Sequence, residues 1–232
     1  MSFYVTFVNG MSKTLFMTEK LILALPKGRI LDEVEPILDK CGISPDPGFN
    51  DEYNRGLRFT TNHNDLDVIR VRAFDVATFV AFGGAHLGIV GKDVIEEFDY
   101  EDLYAPLNLG IGKCRLSVAM PEEYADKEDP KSWSHIRVAT KYPTLTRRHF
   151  ANKGVQTELI KLNGAMEIAP SLGFCRRIVD LVSSGKTLKA NNLKEIEEIL
   201  DVTSYLIVNR TAMKTMPDVI NNWISKFEEA IK

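Results

Sequence analysis

An α/β fold of two lobes around a cleft is the architecture this sequence predicts, and three observations carry it. Short apolar runs alternate with segments of helical spacing, the order that gives parallel strands joined by helical crossovers. The composition changes near Leu107-Asn-Leu-Gly-Ile-Gly112, where a second alternating block begins. The last third then holds one more strand-like run and a long amphipathic segment. A chain that builds one lobe, crosses to another and returns describes two lobes, and the gap between them, near strand carboxyl ends, is a favoured ligand site. The expected division puts residues 20–109 with 198–232 in lobe I and residues 110–197 in lobe II. Residues 1–19 are expected to be a flexible extension, with Met17 as a second plausible start.

The elements follow in order. Leu21-Ile-Leu-Ala-Leu25 is a continuous apolar run and reads as a buried parallel strand. Pro26-Lys-Gly-Arg29 is a tight loop. Ile30, Leu31, Val34, Ile37, Leu38 and Cys41 then recur at helical spacing, and Gly42 stops the helix. Pro36 inside it is expected to kink the helix or remove one hydrogen bond. Residues 67–72 read as the next strand, Asp75 as the N-cap of a helix through Phe82, and residues 86–90 as a strand leading into a helix at Gly91-Lys-Asp93. In the second block, residues 114–120, 136–139, 155–162 and 178–182 read as strands. Residues 143–152 read as a helix, residues 165–172 as a short helix and residues 121–130 as an acidic loop. Residues 195–200 are expected to be helical, residues 205–208 a strand, and residues 217–231 a helix. That helix has Val219, Ile220, Trp223, Ile224, Phe227 and Ile231 on its apolar face.

Composition excludes several classes. The 232 residues carry a formal charge of -3, without the basic excess of a general nucleic-acid binder. No apolar run approaches the ~20 residues of a membrane span. The first sixteen residues lack the basic start, apolar stretch and cleavage site of a signal peptide. Cys41, Cys114 and Cys175 are far apart, and the four histidines are scattered, so neither a disulfide framework nor a zinc site is expected. A reducing cytosol is the natural compartment, and cytoplasmic localisation the expectation.

Four stretches carry possible chemistry. Asp180-Leu-Val-Ser-Ser-Gly-Lys-Thr187 follows an apolar strand and opens a helical stretch, where successive backbone N–H groups bind anions. Gly185 permits close approach of a phosphate, Ser184 and Thr187 add hydroxyls, and Asp180 is a carboxylate whose burial needs a partner such as a ribose diol. On spacing alone the stretch reads equally as a helix cap beside a solvent-facing carboxylate. It is not a Walker loop, because the first glycine of GxxxxGK[ST] would fall on Asp180. Lys27 and Arg29 lie at the positive end of a helix, which favours an anion between them, or form a solvated basic turn. Arg55 and Arg58 suit phosphate contact but read as surface arginines without further context. Arg70 and Arg72 alternate on a strand, with Arg72 placed to overlook the cleft.

Residues 167–188, Glu-Ile-Ala-Pro-Ser-Leu-Gly-Phe-Cys-Arg-Arg-Ile-Val-Asp-Leu-Val-Ser-Ser-Gly-Lys-Thr-Leu, resemble the signature of ATP phosphoribosyltransferases. The signature's fixed points fall on Glu167, Gly173, Ile178, Asp180, Ser184, Gly185, Thr187 and Leu188, and the stretch departs from the usual pattern at Cys175 and Arg176. Pro-Lys-Gly-Arg at 26–29, Gly-Ile-Val-Gly-Lys-Asp at 88–93, Ala-Thr-Lys-Tyr-Pro at 139–143 and Leu-Ile-Val-Asn-Arg at 206–210 are similar too. The resemblance covers about residues 20–215. It implies two lobes like a type II periplasmic binding protein. The long form of the family adds a C-terminal regulatory domain of the ACT type. The end of this chain soon after the return helix is expected of the short form.

The implied reaction joins ATP to phosphoribosyl pyrophosphate: adenine N1 attacks the anomeric carbon with inversion and pyrophosphate leaves, with Mg2+ chelated by the pyrophosphate oxygens. The resemblance assigns the 5′-phosphate and ribose to Asp180, Ser183, Ser184, Gly185, Lys186 and Thr187, with Glu167 near the ribose. It assigns Arg29 and Arg55 to the leaving pyrophosphate or nucleotide phosphates, and Lys27 and Arg72 to ATP. A homodimer joined by a regulatory subunit resembling histidyl-tRNA synthetase is the implied assembly. The alternatives are a non-catalytic ligand-binding module of the same fold, or a non-catalytic member of a complex.

Overall fold

The computed structural model describes residues 20–51 and 53–232; the extension expected over residues 1–19 lies outside them. In chain order the first part runs β1 (Leu21–Pro26), α1 (Arg29–Lys40), β2 (Arg58–Thr60), β3 (Leu66–Val71), α2 (Ala73–Ala81), β4 (Leu87–Gly91), α3 (Lys92–Phe98) and β5 (Leu103–Asn108). The second part runs β6 (Cys114–Pro121), α4 (Glu122–Ala125), β7 (His135–Thr140), α5 (Pro143–Ala151), β8 (Gln156–Lys161), β9 (Arg177–Val182), α6 (Lys186–Ala190) and β10 (Leu193–Val202). The chain returns with β11 (Ser204–Asn209), α7 (Arg210–Thr215) and α8 (Pro217–Ala230).

These elements form a mixed α/β structure with two sheets. The first has the order β2-β3-β1-β4-β11-β5 and the second β10-β6-β9-β7-β8. β1 lies parallel to β3 and β4, while β11 joins antiparallel between β4 and β5. In the second sheet β7 is parallel to β8 and β9, and β6 is antiparallel to β9 and β10.

The continuous apolar run of β1 reflects helices on both faces of the first sheet. Leu21, Leu23 and Leu25 pack with Leu31, Val34 and Leu38 of α1 and with Ile220, Trp223 and Phe227 of α8. Ala24 points the other way, toward Val76, Ala77 and Val80 of α2 and Val94 of α3. α1 runs unbroken through Pro36. The second sheet likewise has two covered faces: Leu116, Val118, Val138 and Val179 pack with Leu145 and Phe150 of α5. Ala119, Ala139 and Ile178 pack with Met166 and Leu188.

A polar clamp joins the two parts. Glu97 of α3, itself buried, accepts from the amides of Thr144 (2.9 Å) and Leu145 (3.0 Å) and so caps the first turn of α5. Those amides have no partner within their own helix, and a carboxylate also suits the positive helix end. One turn earlier on α3, buried Asp93 accepts from the hydroxyl of buried Tyr142 at 2.7 Å. Phe74 of α2 packs against Tyr142 of the second part (centroids 5.3 Å) and Phe98 of the first (5.8 Å).

Several expectations need correction. Residues 195–200 are not helical; they lie in β10, antiparallel to β6, with register shifts between Glu195 and Glu197 and between Glu198 and Leu200. Those shifts break the strict alternation that marks a strand. β10 carries the chain to Val202 before the return to the first sheet. The helix expected over residues 165–172 is a single 3-10 turn, Met166–Ile168, entered through Ala165 at φ 55°. Asp75 is not the N-cap of α2: Arg72 holds that position and Asp75 lies in the first turn, where its charge still favours the helix end. The short strands β2 and β5 and the helix α7 were not expected. Val219 is exposed, so the buried stripe of α8 is Ile220, Trp223, Phe227 and Ala230.

Glu97→Ala removes the acceptor for two amides and the only cap that α5 receives from α3. It is expected to lower the unfolding free energy in urea by about 2–3 kcal/mol. A loss below about 0.5 kcal/mol would show that the clamp is not what fixes the start of α5.

Candidate active site

The chemically equipped turns share one topological position. Lys27 and Arg29 follow β1, Arg72 follows β3, and Asp93 follows β4. In the second sheet Lys141 follows β7 and residues 183–187 follow β9. All of them leave the carboxyl ends of parallel strands, where α/β proteins bind ligands.

Asp180 lies within β9 opposite Ser117 of β6. It is half-buried, and its Oδ1 accepts from the amide of Leu181 at 2.8 Å. Burial pushes its carboxyl up to about 6; the Leu181 amide opposes this, Glu167 and Asp93 reinforce it, and the ammonium of Lys141 lowers it. The turn beyond is open. Gly185 sits at φ 72° as the residue before α6, and a Cβ placed there would meet nothing within 4 Å. Ser183, Ser184, Lys186 and Thr187 are exposed, and the Ser184 hydroxyl lies 3.5 Å from the Lys186 amide. The first-turn amides of such a helix have no intrahelical acceptor.

One support of this turn escaped the sequence reading. Arg115 of β6 donates to Glu195 of β10 at 2.6 Å and reaches the carbonyl of Ser183 at 3.4 Å. Ser117, fully buried, donates to the same Glu195 at 2.7 Å. Glu195 was expected on a helix, so this network had no place in the reading.

The cations divide. Lys27, Gly28 and Arg29 line a pocket of about 620 Å3 together with Asn50, Asn54 and Arg70. Arg70 does not face the opposite sheet: its guanidinium donates to the carbonyls of Phe49, Asp51 (3.4 Å) and Asn54 (3.3 Å), and so ties down the loop before Arg55. Arg55 is exposed and does not line the pocket. Arg58 is engaged elsewhere, paired with Asp67 at 2.8 Å. Arg29 also approaches Cys114, whose thiol burial pushes up to about 11, with Asp93 adding to the rise and Arg29 opposing it. Arg72 and Asp180 meet through Lys141, which feels both charges.

Glu167 lies in the 3-10 turn, half-buried. It lines a separate pocket of about 650 Å3 with Arg137, Phe174, Arg176 and Arg177, and its charge acts on Asp180. Among the described residues no three His, Cys, Asp or Glu side chains converge as a metal cage. No helix among them is long and apolar enough to cross a membrane.

The class is therefore a mixed α/β protein of two sheets with its reactive turns at the carboxyl ends of parallel strands. Residues 72–229, more than half the chain, match the family described as HisG: ATP phosphoribosyltransferase. The ATP phosphoribosyltransferase of Paramagnetospirillum magneticum is 64% identical over 212 residues, 91% of this chain and 97% of that protein. The enzyme of the same name from Rhodospirillum rubrum is 65% identical over 91% of this chain and 93% of its own length. Among solved structures, a chain of the ATP phosphoribosyl transferase (HisG:HisZ) complex from Thermotoga maritima aligns with a TM-score of 0.77 at 31% identity. The alignment covers 91% of this chain and 98% of that one. The chain belongs to the ATP phosphoribosyltransferase family.

The open turn yields a direct test. Gly185→Ala creates no clash but forces a left-handed conformation on alanine, so a stability loss of about 1 kcal/mol is expected. If the turn seats a phosphate, the added methyl also blocks its approach, and affinity for a phosphorylated ligand should fall at least about tenfold, roughly 1.4 kcal/mol. A variant that binds such a ligand as well as the parent does would place the phosphate elsewhere.

Proposed function

We propose that this chain transfers the phosphoribosyl group of phosphoribosyl pyrophosphate to N1 of ATP, forming N1-(5-phosphoribosyl)-ATP and pyrophosphate, the first step of histidine biosynthesis. The two sheets then act as two lobes around a cleft, in the manner of a type II periplasmic binding protein. The observation that carries the reading is the placement of half-buried Asp180 just ahead of the open turn at residues 183–187.

In this reading Asp180 accepts from the ribose hydroxyls, with Glu167 close by. The amides and hydroxyls of Ser183, Ser184, Gly185, Lys186 and Thr187 hold the 5′-phosphate. Arg29 and Arg55 face the departing pyrophosphate, where preorganised positive charge lowers the barrier. Lys27 and Arg72 take the ATP side. Adenine N1 supplies its lone pair to the anomeric carbon as the bond to pyrophosphate breaks, and no protein nucleophile is needed. Magnesium would enter as part of the substrate, chelated by the pyrophosphate oxygens, and would neutralise charge on the leaving group. The protein's task is to orient two polyanions and to exclude water from the reacting carbon.

The Thermotoga chain was solved as a HisG:HisZ complex. We propose that this chain likewise assembles with a regulatory subunit, one resembling histidyl-tRNA synthetase, and that it does so as a homodimer in the cytoplasm.

The test is turnover of the folded chain with magnesium, ATP and phosphoribosyl pyrophosphate, followed by product absorbance and pyrophosphate release. Asp180→Asn should weaken phosphoribosyl pyrophosphate binding about 10- to 150-fold, the worth of one charged hydrogen bond, and leave ATP affinity nearly unchanged. No product with or without the regulatory subunit would overturn the activity. Loss of ATP affinity instead would reverse the placement of the two substrates.

A further inference from the structure

Asp180 has a disadvantage as a hydrogen-bond acceptor. Two other carboxylates, Glu167 and Asp93, add to its burial, and a carboxylic acid cannot accept from two ribose hydroxyls as a carboxylate can. The cation set against these groups is Lys141.

The position of Lys141 is fixed by backbone geometry. β7 and β9 are parallel with Thr140 beside Val179, the last pair between them, so Lys141, the first residue after β7, and Asp180 each follow directly on a paired residue. The Thr140 hydroxyl donates to the Val179 carbonyl at 2.9 Å and accepts from the Tyr142 amide at 2.9 Å, pinning the backbone on both sides of Lys141. The side chain is half-buried, and its Nζ lies 3.9 Å from the centroid of the Phe74 ring. Phe74 belongs to α2, on the first sheet. The ammonium is thus anchored on the second sheet and rests on an aromatic face offered by the first, an attractive contact. The charged groups facing it are Asp180 of β9, Asp93 of α3, and Arg72 and Asp75 at the start of α2. Cys114 and the Tyr142 hydroxyl lie in the same neighbourhood and are uncharged at neutral pH, both pushed up by burial.

We propose that Lys141 is a positioning residue for the transfer reaction: its ammonium, held on the Phe74 ring, keeps the neighbouring Asp180 in the carboxylate form that accepts the ribose hydroxyls. The proposal rests on the reading of Asp180 as the ribose acceptor. It also explains why a lysine is tolerated at a half-buried seam whose desolvation lowers its own pKa: the two groups stabilise each other's charged forms.

The sign of the effect follows. Removing the ammonium leaves Asp180 among burial, Glu167 and Asp93, so its titration midpoint rises from about 6. Substrate binding then weakens most at and below neutral pH and recovers at higher pH, once Asp180 ionises. A lysine that merely fills space, or one that touches a substrate phosphate itself, would lower affinity by the same factor at every pH where Asp180 is ionised in the parent.

Lys141→Met keeps the stem over Phe74 and removes the charge; Lys141→Arg keeps the charge. Each full-length variant is titrated by carboxyl 13C NMR, with the Asp180 signal assigned by Asp180→Asn, and phosphoribosyl pyrophosphate affinity is measured by calorimetry from pH 5 to 9 with magnesium. Lys141→Met should raise the Asp180 midpoint by about one pH unit or more. Its affinity should fall about fivefold at pH 6 and about twofold at pH 7 and match the parent at pH 9, and Lys141→Arg should restore both. An unmoved midpoint, or a loss that is the same at pH 6 and pH 9, overturns the proposal. A midpoint that moves while affinity stays at the parent level at every pH also overturns it, and places the failure in the reading of Asp180 rather than in the pairing with Lys141.

Discussion

The start of α5 is held by a carboxylate that belongs to the other half of the molecule. Glu97 takes the Thr144 and Leu145 amides, and Asp93 takes the Tyr142 hydroxyl from the same helix one turn earlier. Both acids are buried, and a buried carboxylate without such partners would cost several kcal/mol. The two sheets are therefore docked by a directional contact, with Phe74 filling the space beside it. Residue 141 leads directly into this clamp, so the clamp also sets where Lys141 and, through the ladder, Asp180 stand relative to the turn that carries Arg72.

That arrangement gives the candidate site its electrical character. Negative charge gathers on one side, from Asp180, Glu167 and Asp93, while cations approach from Lys141, Arg72 and Arg29. In the proposed reaction the cations would meet the phosphates and Asp180 the sugar. Asp180 is a carboxylate pushed up to about 6 by burial, so its charge depends on its neighbours staying in place.

Much of this was legible in the sequence wherever the signal is local. The apolar run at residues 21–25, the helical spacing after Arg29 and the turn at residues 183–187 all appear in the structure as strand, helix and exposed turn. What was not legible depends on partners distant in the chain. Glu195-Ile-Glu-Glu-Ile-Leu200 has strong helix formers and apolar residues spaced like a helix, yet β6 takes it as a strand, and Arg115 and Ser117 hold Glu195 there. Glu97 looks like an ordinary surface acid of a helix, because nothing local reveals that it caps another helix. Arg70, which alternates with Arg72 on the strand, is spent on the carbonyls before Arg55, a long-range contact no local pattern shows. Lys141 lies within Ala-Thr-Lys-Tyr-Pro at 139–143, but its neighbours come from the pairing of β7 with β9 and from the Phe74 ring of α2, both distant in the chain.

The proposed chemistry requires the ribose of the substrate to sit on Asp180 with its 5′-phosphate in the turn beyond. A crystal structure of the chain with magnesium and phosphoribosyl pyrophosphate tests this most directly. The ribose hydroxyls are expected within hydrogen-bond distance of the Asp180 carboxylate, and the 5′-phosphate on the amides of residues 184–187. Substrate seated instead in the separate pocket lined by Arg137, Arg176 and Arg177, with Asp180 untouched, would contradict it.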